Sequence, residues 1–174
     1  MRLPIVQFAP ALVALTFALT ASAEVPKLGK SSVAFTAVGP GGLKINGTGN
    51  KVSVAKDGDR VKFTSSIKNM KTGIGLRDKH LNKALKVPED EKNDKTASFT
   101  FDESKLKRSG GKVTGEFSMN GGKKDVPVTY TVAGKDVTAN FTVNITDYGI
   151  PEQCYLGVCC DNNVAVTVKL SLKE

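Results

Sequence analysis

The fold class is decided near the end of the chain by VAVTVKLSLK, residues 164–173. Valine and leucine occupy every second position there, and alanine, threonine, lysine and serine occupy the positions between them. Successive side chains of a β-strand point to opposite faces of a sheet, so this alternation predicts a strand with one buried face.

The same period of two extends outward from this strand over nearly all of the chain after residue 23. One apolar face recurs in each of seven further segments: 33–37, 43–54, 61–67, 97–101, 113–119, 126–132 and 137–145. Within 43–54 the apolar side chains change from odd positions to even ones, and Gly47 and Gly49 predict a β-bulge at that point. Short turns rich in glycine separate most of these segments, so neighbours in sequence are expected to pair as hairpins.

About eight strands joined in this way predict an all-β fold, an eight-stranded antiparallel barrel with one short helix. A β-sandwich would produce the same alternation, but the single run of hairpins favours the barrel. The helix is predicted over residues 76–86, with Leu81 and Leu85 on one side. Small inward residues are expected to face phenylalanine rings, so the interior could be either a filled core or a ligand cavity, and the sequence does not decide between the two. The small residues are Ala37, Ser65, Ala97, Gly115 and Ala139.

The first residues have the pattern of a secretory signal peptide. Arg2 precedes an apolar run at 11–19, and Ala21-Ser22-Ala23 fits a cleavage site with small residues. The apolar run is too short to span a membrane. We therefore expect a cleaved signal over residues 1–23, one mature domain over 24–174, and an exported product.

The chain is basic, with 25 lysine and arginine residues, 17 acidic residues and a net charge of +8. The charges are scattered, and the densest clusters, at 105–108 and 123–124, lie beside turns. No recognition helix or row of stacking aromatics accompanies them, so we expect no nucleic-acid partner. A basic, solvated surface remains, suited at most to transient contact with an anionic membrane surface.

Three blocks of sequence carry a resemblance to a known family. They are TGIGLRDKHL at 72–81, MNGGKKDVPV at 119–128, and FTVNITDYGIP at 141–151 followed by YLGV at 155–158. In order and spacing the chain resembles the YceI-like family. The resemblance implies a lipocalin-like, eight-stranded antiparallel barrel in the bacterial periplasm. It also implies binding of a polyisoprenoid or similar amphiphilic lipid inside the barrel, with no enzymatic activity, cofactor or metal.

The chain departs from the family pattern around the predicted helix. Lys30-Ser31-Ser32 replaces a frequent His-Ser, Leu85 stands where an aromatic residue is usual, and Asn93-Asp94-Lys95 replaces a common Tyr-Pro. These positions cluster near the expected mouth, so the ligand could differ from the family's in length or head group.

The predicted partner is a long-chain isoprenoid or fatty-type lipid. Burial of its tail against inward aromatic and aliphatic side chains would provide the affinity. The candidate lipid-binding residues are Phe35, Phe63, Ile67, Phe99, Phe101, Phe117, Tyr130 and Phe141.

Three polar residues of the predicted helix have two interpretations. Arg77 and the neighbouring Lys79 and Lys83 could hold an anionic head group, with His80 in the same stretch. Alternatively, Arg77 and Asp78 form an ion pair that fixes the helix over the barrel end, which is the interpretation that we favour. His80 is the only histidine, and the sequence places no nucleophile or carboxylate partner beside it, so we expect no catalysis.

Cys154, Cys159 and Cys160 are the only cysteines, and an odd number leaves at least one thiol outside an intramolecular bond. Cys154 could form a disulfide with either of the other two only if Gly157 bends the chain, because an extended strand separates them too far. The alternative function is a thiol- or metal-binding exported protein that uses this cluster. The spacing matches no zinc template, so no metal is predicted.

Overall fold

The computed structural model describes residues 27–87 and 95–173. The predicted signal peptide and the acidic loop at 88–94 lie outside these residues. Strands dominate the described chain, with one α-helix, α1 (Gly75–Ala84). The strands are β1 (Leu28–Val38), β2 (Lys44–Gly49), β3 (Val52–Asp57), β4 (Arg60–Ser66), β5 (Thr96–Asp102), β6 (Gly110–Met119), β7 (Gly122–Ala133), β8 (Asp136–Asn144), β9 (Cys154–Tyr155), β10 (Val158–Cys159) and β11 (Asn163–Leu172).

Nine of the strands form one antiparallel sheet in the order β2-β1-β11-β8-β7-β6-β5-β4-β3. From β3 to β8 each strand pairs with its neighbour in sequence, as the hairpin turns predict. The short strands β9 and β10 form a separate two-stranded ribbon between β8 and β11. The sheet curls, and its two edge strands, β2 and β3, are consecutive in the chain. The predicted all-β, barrel-like fold with one helix is therefore confirmed.

The predicted number of eight strands in the barrel is wrong, because the sheet has nine. The segment predicted as one bulged strand is two strands, with β2 paired to β1 and β3 paired to β4. The half-buried and buried side chains change from odd to even positions between them, as the sequence predicts. On the side of β2 where β3 would close the barrel, Thr48 pairs with Lys71 and not with β3, through two backbone hydrogen bonds of 2.8 Å. Pairing with this loop separates β2 from β3 and leaves a seam in the barrel.

Two clusters of buried side chains line the inside of the sheet. The helix-end cluster lies where β4, β6 and β8 end and consists of Ile67, Phe117, Met119, Val126, Val143, Tyr148 and Ile150. The loop-end cluster lies at the opposite end of the strands and consists of Val61, Phe101, Val113, Val128 and Tyr130. Phe99 and Phe141 pack against both clusters. Their rings are 6.2 Å apart, which joins the two clusters into one aromatic wall.

Two glycines allow phenylalanine rings to lie flat against the wall. A Cβ atom on Gly47 would lie 2.2 Å from the ring of Phe35, its partner on β1. A Cβ atom on Gly115 would lie 2.7 Å from the ring of Phe99 and 2.5 Å from the carbonyl oxygen of Thr100. Any larger residue would push these rings inward. The glycines therefore place large rings at the wall and not across the interior.

The α1 helix ends two residues earlier than predicted and buries none of its residues. Its first turn is tied to the preceding loop, because Asp78 accepts hydrogen bonds from the backbone N–H and the hydroxyl of Thr72, at 2.6 and 2.7 Å. Leu81 and Leu85 are half-buried on the side that faces the sheet. Among the described residues, no helix is long and apolar enough to cross a membrane.

Candidate functional site

A cavity of about 1070 Å³ occupies the interior of the curled sheet. Aliphatic and aromatic side chains from β1 to β8 and β11 form nearly all of its lining. Sites for small molecules usually measure about 300–1,000 Å³ and combine an apolar lining with a few polar groups. This cavity is at the upper limit of that range, so it suits a bulky apolar ligand better than a small metabolite.

All the residues that the sequence singles out for lipid binding line this cavity. They are Phe35, Phe63, Ile67, Phe99, Phe101, Phe117, Tyr130 and Phe141. Phe63 stacks on Phe101 with the ring centroids 5.9 Å apart, and Phe117 packs against Phe141 at 5.5 Å. The small inward residues Ala37, Ser65, Ala97 and Ala139 also line the cavity. Large and small side chains together thus enclose a cavity, whereas the sequence periodicity alone was compatible with a filled core as well.

Polar groups border the cavity at both ends. At the helix end, the end covered by α1, Arg77 and His80 contribute to the lining. At the loop end, where β5 passes into β6, Glu103, Lys107 and Arg108 contribute. The middle of the cavity is apolar. An amphiphilic ligand could therefore place a charged group at either end and its apolar part between them.

Asp78 does not line the cavity, and it forms no ion pair with Arg77 among the described residues. The predicted Arg77–Asp78 pair is therefore wrong. Asp78 is occupied by Thr72, whose backbone N–H and hydroxyl hold the pKa of the carboxyl below its ordinary value of 3.8, with a smaller contribution from the charge of Lys71. Asp78 fixes the helix through the loop, and this leaves the guanidinium of Arg77 at the cavity.

The sequence reasoning missed the polar contacts that close the loop end. The hydroxyl of Tyr130 accepts a hydrogen bond from the backbone N–H of Lys107 at 2.6 Å and donates one to its carbonyl oxygen at 3.1 Å. Nearby, Lys56 and Glu103 form an ion pair in which the lysine is largely buried. The sequence offered one signal for these contacts, the basic cluster at 105–108 beside a turn together with the inward Tyr130. The pairing of Tyr130 with Lys107 could not be predicted, because it depends on the register of β6 and β7.

The structure joins Cys154 to Cys159 in a disulfide across the ribbon, with the Cα atoms 3.9 Å apart. Leu156 and Gly157 form the tight turn that makes this approach feasible, and both have positive φ angles, of 49° and 78°. Cys160 is a free, half-buried thiol that lines the cavity. The carboxylate of Glu152 lies near both disulfide sulfurs. In the disulfide neither sulfur is the thiolate that a metal ion would require.

Comparison with known proteins gives matches in a family model and in solved structures. The family model described as the YceI-like domain matches residues 26–172. A polyisoprenoid-binding domain from Saccharophagus degradans, implicated in plant cell wall breakdown, is 11% identical, with a TM-score of 0.58 over 84% of this chain and 96% of that chain. Burkholderia cenocepacia BcnA is 17% identical, with a TM-score of 0.57 over 80% and 94%. A search of curated proteins found no match.

Proposed function

The chain belongs to the family of YceI-like domains, and from that premise we propose that it binds a polyisoprenoid or a similar long-chain amphiphilic lipid inside the barrel. The observation that carries the proposal is the apolar cavity of about 1070 Å³. The polyisoprenoid-binding domain from Saccharophagus degradans, which has the same fold, supports the choice of ligand class. The proposed role is one of binding and not of catalysis.

The affinity would come from the tail. Each Å² of apolar surface removed from water contributes about 25 cal/mol, and for a long hydrocarbon chain against the aromatic wall this gain opposes the cost of ordering the chain. The rings of Phe99 and Phe141 lie where both buried clusters meet. A charge placed at either ring would have to be desolvated without a partner.

The head group would lie at the helix end, against Arg77 and His80. The guanidinium of Arg77 can donate two parallel hydrogen bonds to a phosphate or carboxylate. Because Thr72 occupies Asp78, no internal carboxylate competes for Arg77 from that position. The helix would then both cover the cavity and bind the head group selectively.

We propose in addition that the protein is exported to the periplasm and acts there as a carrier or a reserve for the lipid. The signal-like pattern at residues 1–23 supports export. The Cys154–Cys159 disulfide fits an oxidising compartment. A carrier needs a cavity that shields a water-insoluble tail during transfer, and the curled sheet provides such a cavity.

The test is native mass spectrometry of the protein purified from an exporting bacterium, followed by solvent extraction and mass analysis of the lipid. We expect a bound long-chain lipid in the wild type and none in Phe141→Arg. Thr142→Arg is the matched control, because its side chain is exposed on the same strand, and it should retain the lipid. A wild-type protein without lipid that also takes up no added polyprenyl phosphate would contradict the proposal.

A further inference from the structure

Exposed large apolar side chains are concentrated at the helix end of the barrel. The apolar rim, as we name them, consists of Leu43, Ile74, Leu76, Leu156 and Val158. They come from three segments: the turn after β1, the start of α1 and the ribbon. A backbone hydrogen bond of 2.8 Å, donated by the N–H of Asp161 to the carbonyl oxygen of Val38, joins the segment after the ribbon to the end of β1. Among the described residues, Leu106 is the only comparable side chain at the loop end.

The tip of the ribbon combines two unfavourable features. Leu156 is 85% exposed and has a φ of 49°, in the left-handed region. With Gly157 at a φ of 78°, the pair forms the kind of two-residue turn in which asparagine followed by glycine is preferred. A leucine there strains the backbone and faces water, and neither feature stabilises the fold. Such outliers point to function.

The disulfide makes this tip rigid. Cys154 and Cys159 are register partners in the ribbon, and the bond between them closes a segment with Leu156 at its apex. The ribbon is only two residues long on each side, too short to be stable by pairing alone. The covalent bond therefore holds an apolar side chain away from the body of the protein.

Basic side chains accompany the apolar rim. Lys44 follows Leu43, and Lys71, Arg77 and Lys79 lie beside or within α1. None of these four forms an ion pair within the residues that the structure describes. In the part of the chain that the structure describes, three acidic groups near the rim each accept a hydrogen bond: Asp78 from Thr72, Glu152 from Asn162 and Asp161 from the N–H of Asn163. Among the described residues, this end thus combines apolar tips with basic side chains that have no ion-pair partner.

We infer that the apolar rim docks the helix end onto a bilayer that contains anionic lipids, with Leu156 inserted among the head groups. Apolar tips with surrounding cations are the features that bind a protein to such an interface. The cavity lining reaches the rim at Val158 and includes Arg77, which follows Leu76 of the rim, so a lipid could pass between bilayer and barrel without crossing water. Only this transfer step rests on the proposed function, whereas docking itself requires no ligand.

The chain contains no tryptophan, so the fluorescence of a single introduced tryptophan reports only on the surroundings of the substituted position. We would compare Leu156→Trp with Leu106→Trp, because Leu106 is an exposed leucine at the loop end. On adding vesicles of phosphatidylglycerol and phosphatidylcholine, we expect the emission of Leu156→Trp to shift to the blue and that of Leu106→Trp to stay constant. Vesicles of phosphatidylcholine alone should give a smaller shift. Equal shifts at both ends, or none at Leu156, would overturn the inference.

A second variant removes the rim without harming the fold. In Leu156→Asn/Leu76→Gln the first change suits the turn and the second suits the helix. Neither side chain lines the cavity. We expect binding to the mixed vesicles, measured by co-sedimentation, to weaken about tenfold or more, as burial of two leucines implies, while Leu106→Asn binds like the wild type. Unchanged binding of the double variant would refute the docking surface.

Two further results separate this inference from other occupants and from the proposed function. Sedimentation without vesicles that depends on protein concentration in the wild type, and not in the double variant, would assign the rim to a second copy of the chain and overturn the inference. Native mass spectrometry reports the ligand independently. Wild-type protein that docks, but neither contains lipid nor takes up added polyprenyl phosphate, would contradict the proposed function and leave the docking surface standing.

Discussion

The two ends of the barrel are each built around a tyrosine, but the two tyrosines are held differently. At the helix end the ring of Tyr148 is 1% exposed and meets the ring of Phe117 edge-on, with the centroids 5.2 Å apart. At the loop end Tyr130 is also buried, yet its hydroxyl makes two hydrogen bonds to the backbone of Lys107. Apolar packing holds Tyr148, and directed polar bonds hold Tyr130.

This difference bears on which end can open. Hydrophobic contact is not directional, so side chains that meet only by packing can rearrange while they remain buried. Hydrogen bonds to a fixed backbone have a narrow range of geometry. The helix end also has a cover, α1, that buries none of its residues. We therefore interpret the loop end as the rigid base of the cavity and the helix end as its mouth.

The largest expected effect tests whether packing at the helix end stabilises the whole barrel. Tyr148→Ala removes a fully buried ring and should lower the free energy of unfolding by about 3–5 kcal/mol. Tyr148→Phe keeps the ring and should cost much less. The measurement is urea unfolding followed by circular dichroism, with the m-values compared. A loss below about 1 kcal/mol in Tyr148→Ala would mean that the helix end contributes little to stability.

How much of this architecture the sequence predicts depends on whether a feature is local. Alternation along a strand reveals its buried face, so the inward set from Phe35 to Phe141 and the parity change at the seam could be predicted. Pairing is a property of two segments. The bond of Thr48 to Lys71, which divides one predicted strand into two, depends on a loop more than twenty positions away. No periodicity contains that information.

The same distinction applies to the candidate site. The inward aromatic side chains could be predicted, but the cavity depends on how Gly47 and Gly115 receive neighbouring rings across the sheet. Adjacent residues were misleading as well, because Asp78 bonds to Thr72 and not to Arg77. The sequence could not show that Cys154 bonds to Cys159 and not to Cys160, because this depends on the exact position of the turn at Leu156 and Gly157.

A smaller effect tests the polar closure of the loop end. Tyr130→Phe keeps the ring in its cluster and removes only the hydroxyl, which leaves the N–H and C=O of Lys107 without this partner. We expect a loss of about 1 kcal/mol in unfolding free energy. Hydrogen exchange should accelerate at the amide of Lys107 and remain unchanged in α1. Acceleration in α1 as well would show that the two ends are not independent.

The smallest effect belongs to Asp78, whose carboxylate holds the first turn of the helix. The hydrogen bonds from Thr72 lower its pKa in the folded protein, so the charged carboxylate stabilises the fold. This contribution is fully present above the ordinary value of 3.8 and is lost as the pH falls through the lower folded pKa. Unfolding free energies of the wild type and of Asp78→Asn should therefore differ at neutral pH and converge in acid. A difference that persists in acid would mean that the charge is not what anchors the helix, and amide exchange at Thr72 would identify the bond that is lost.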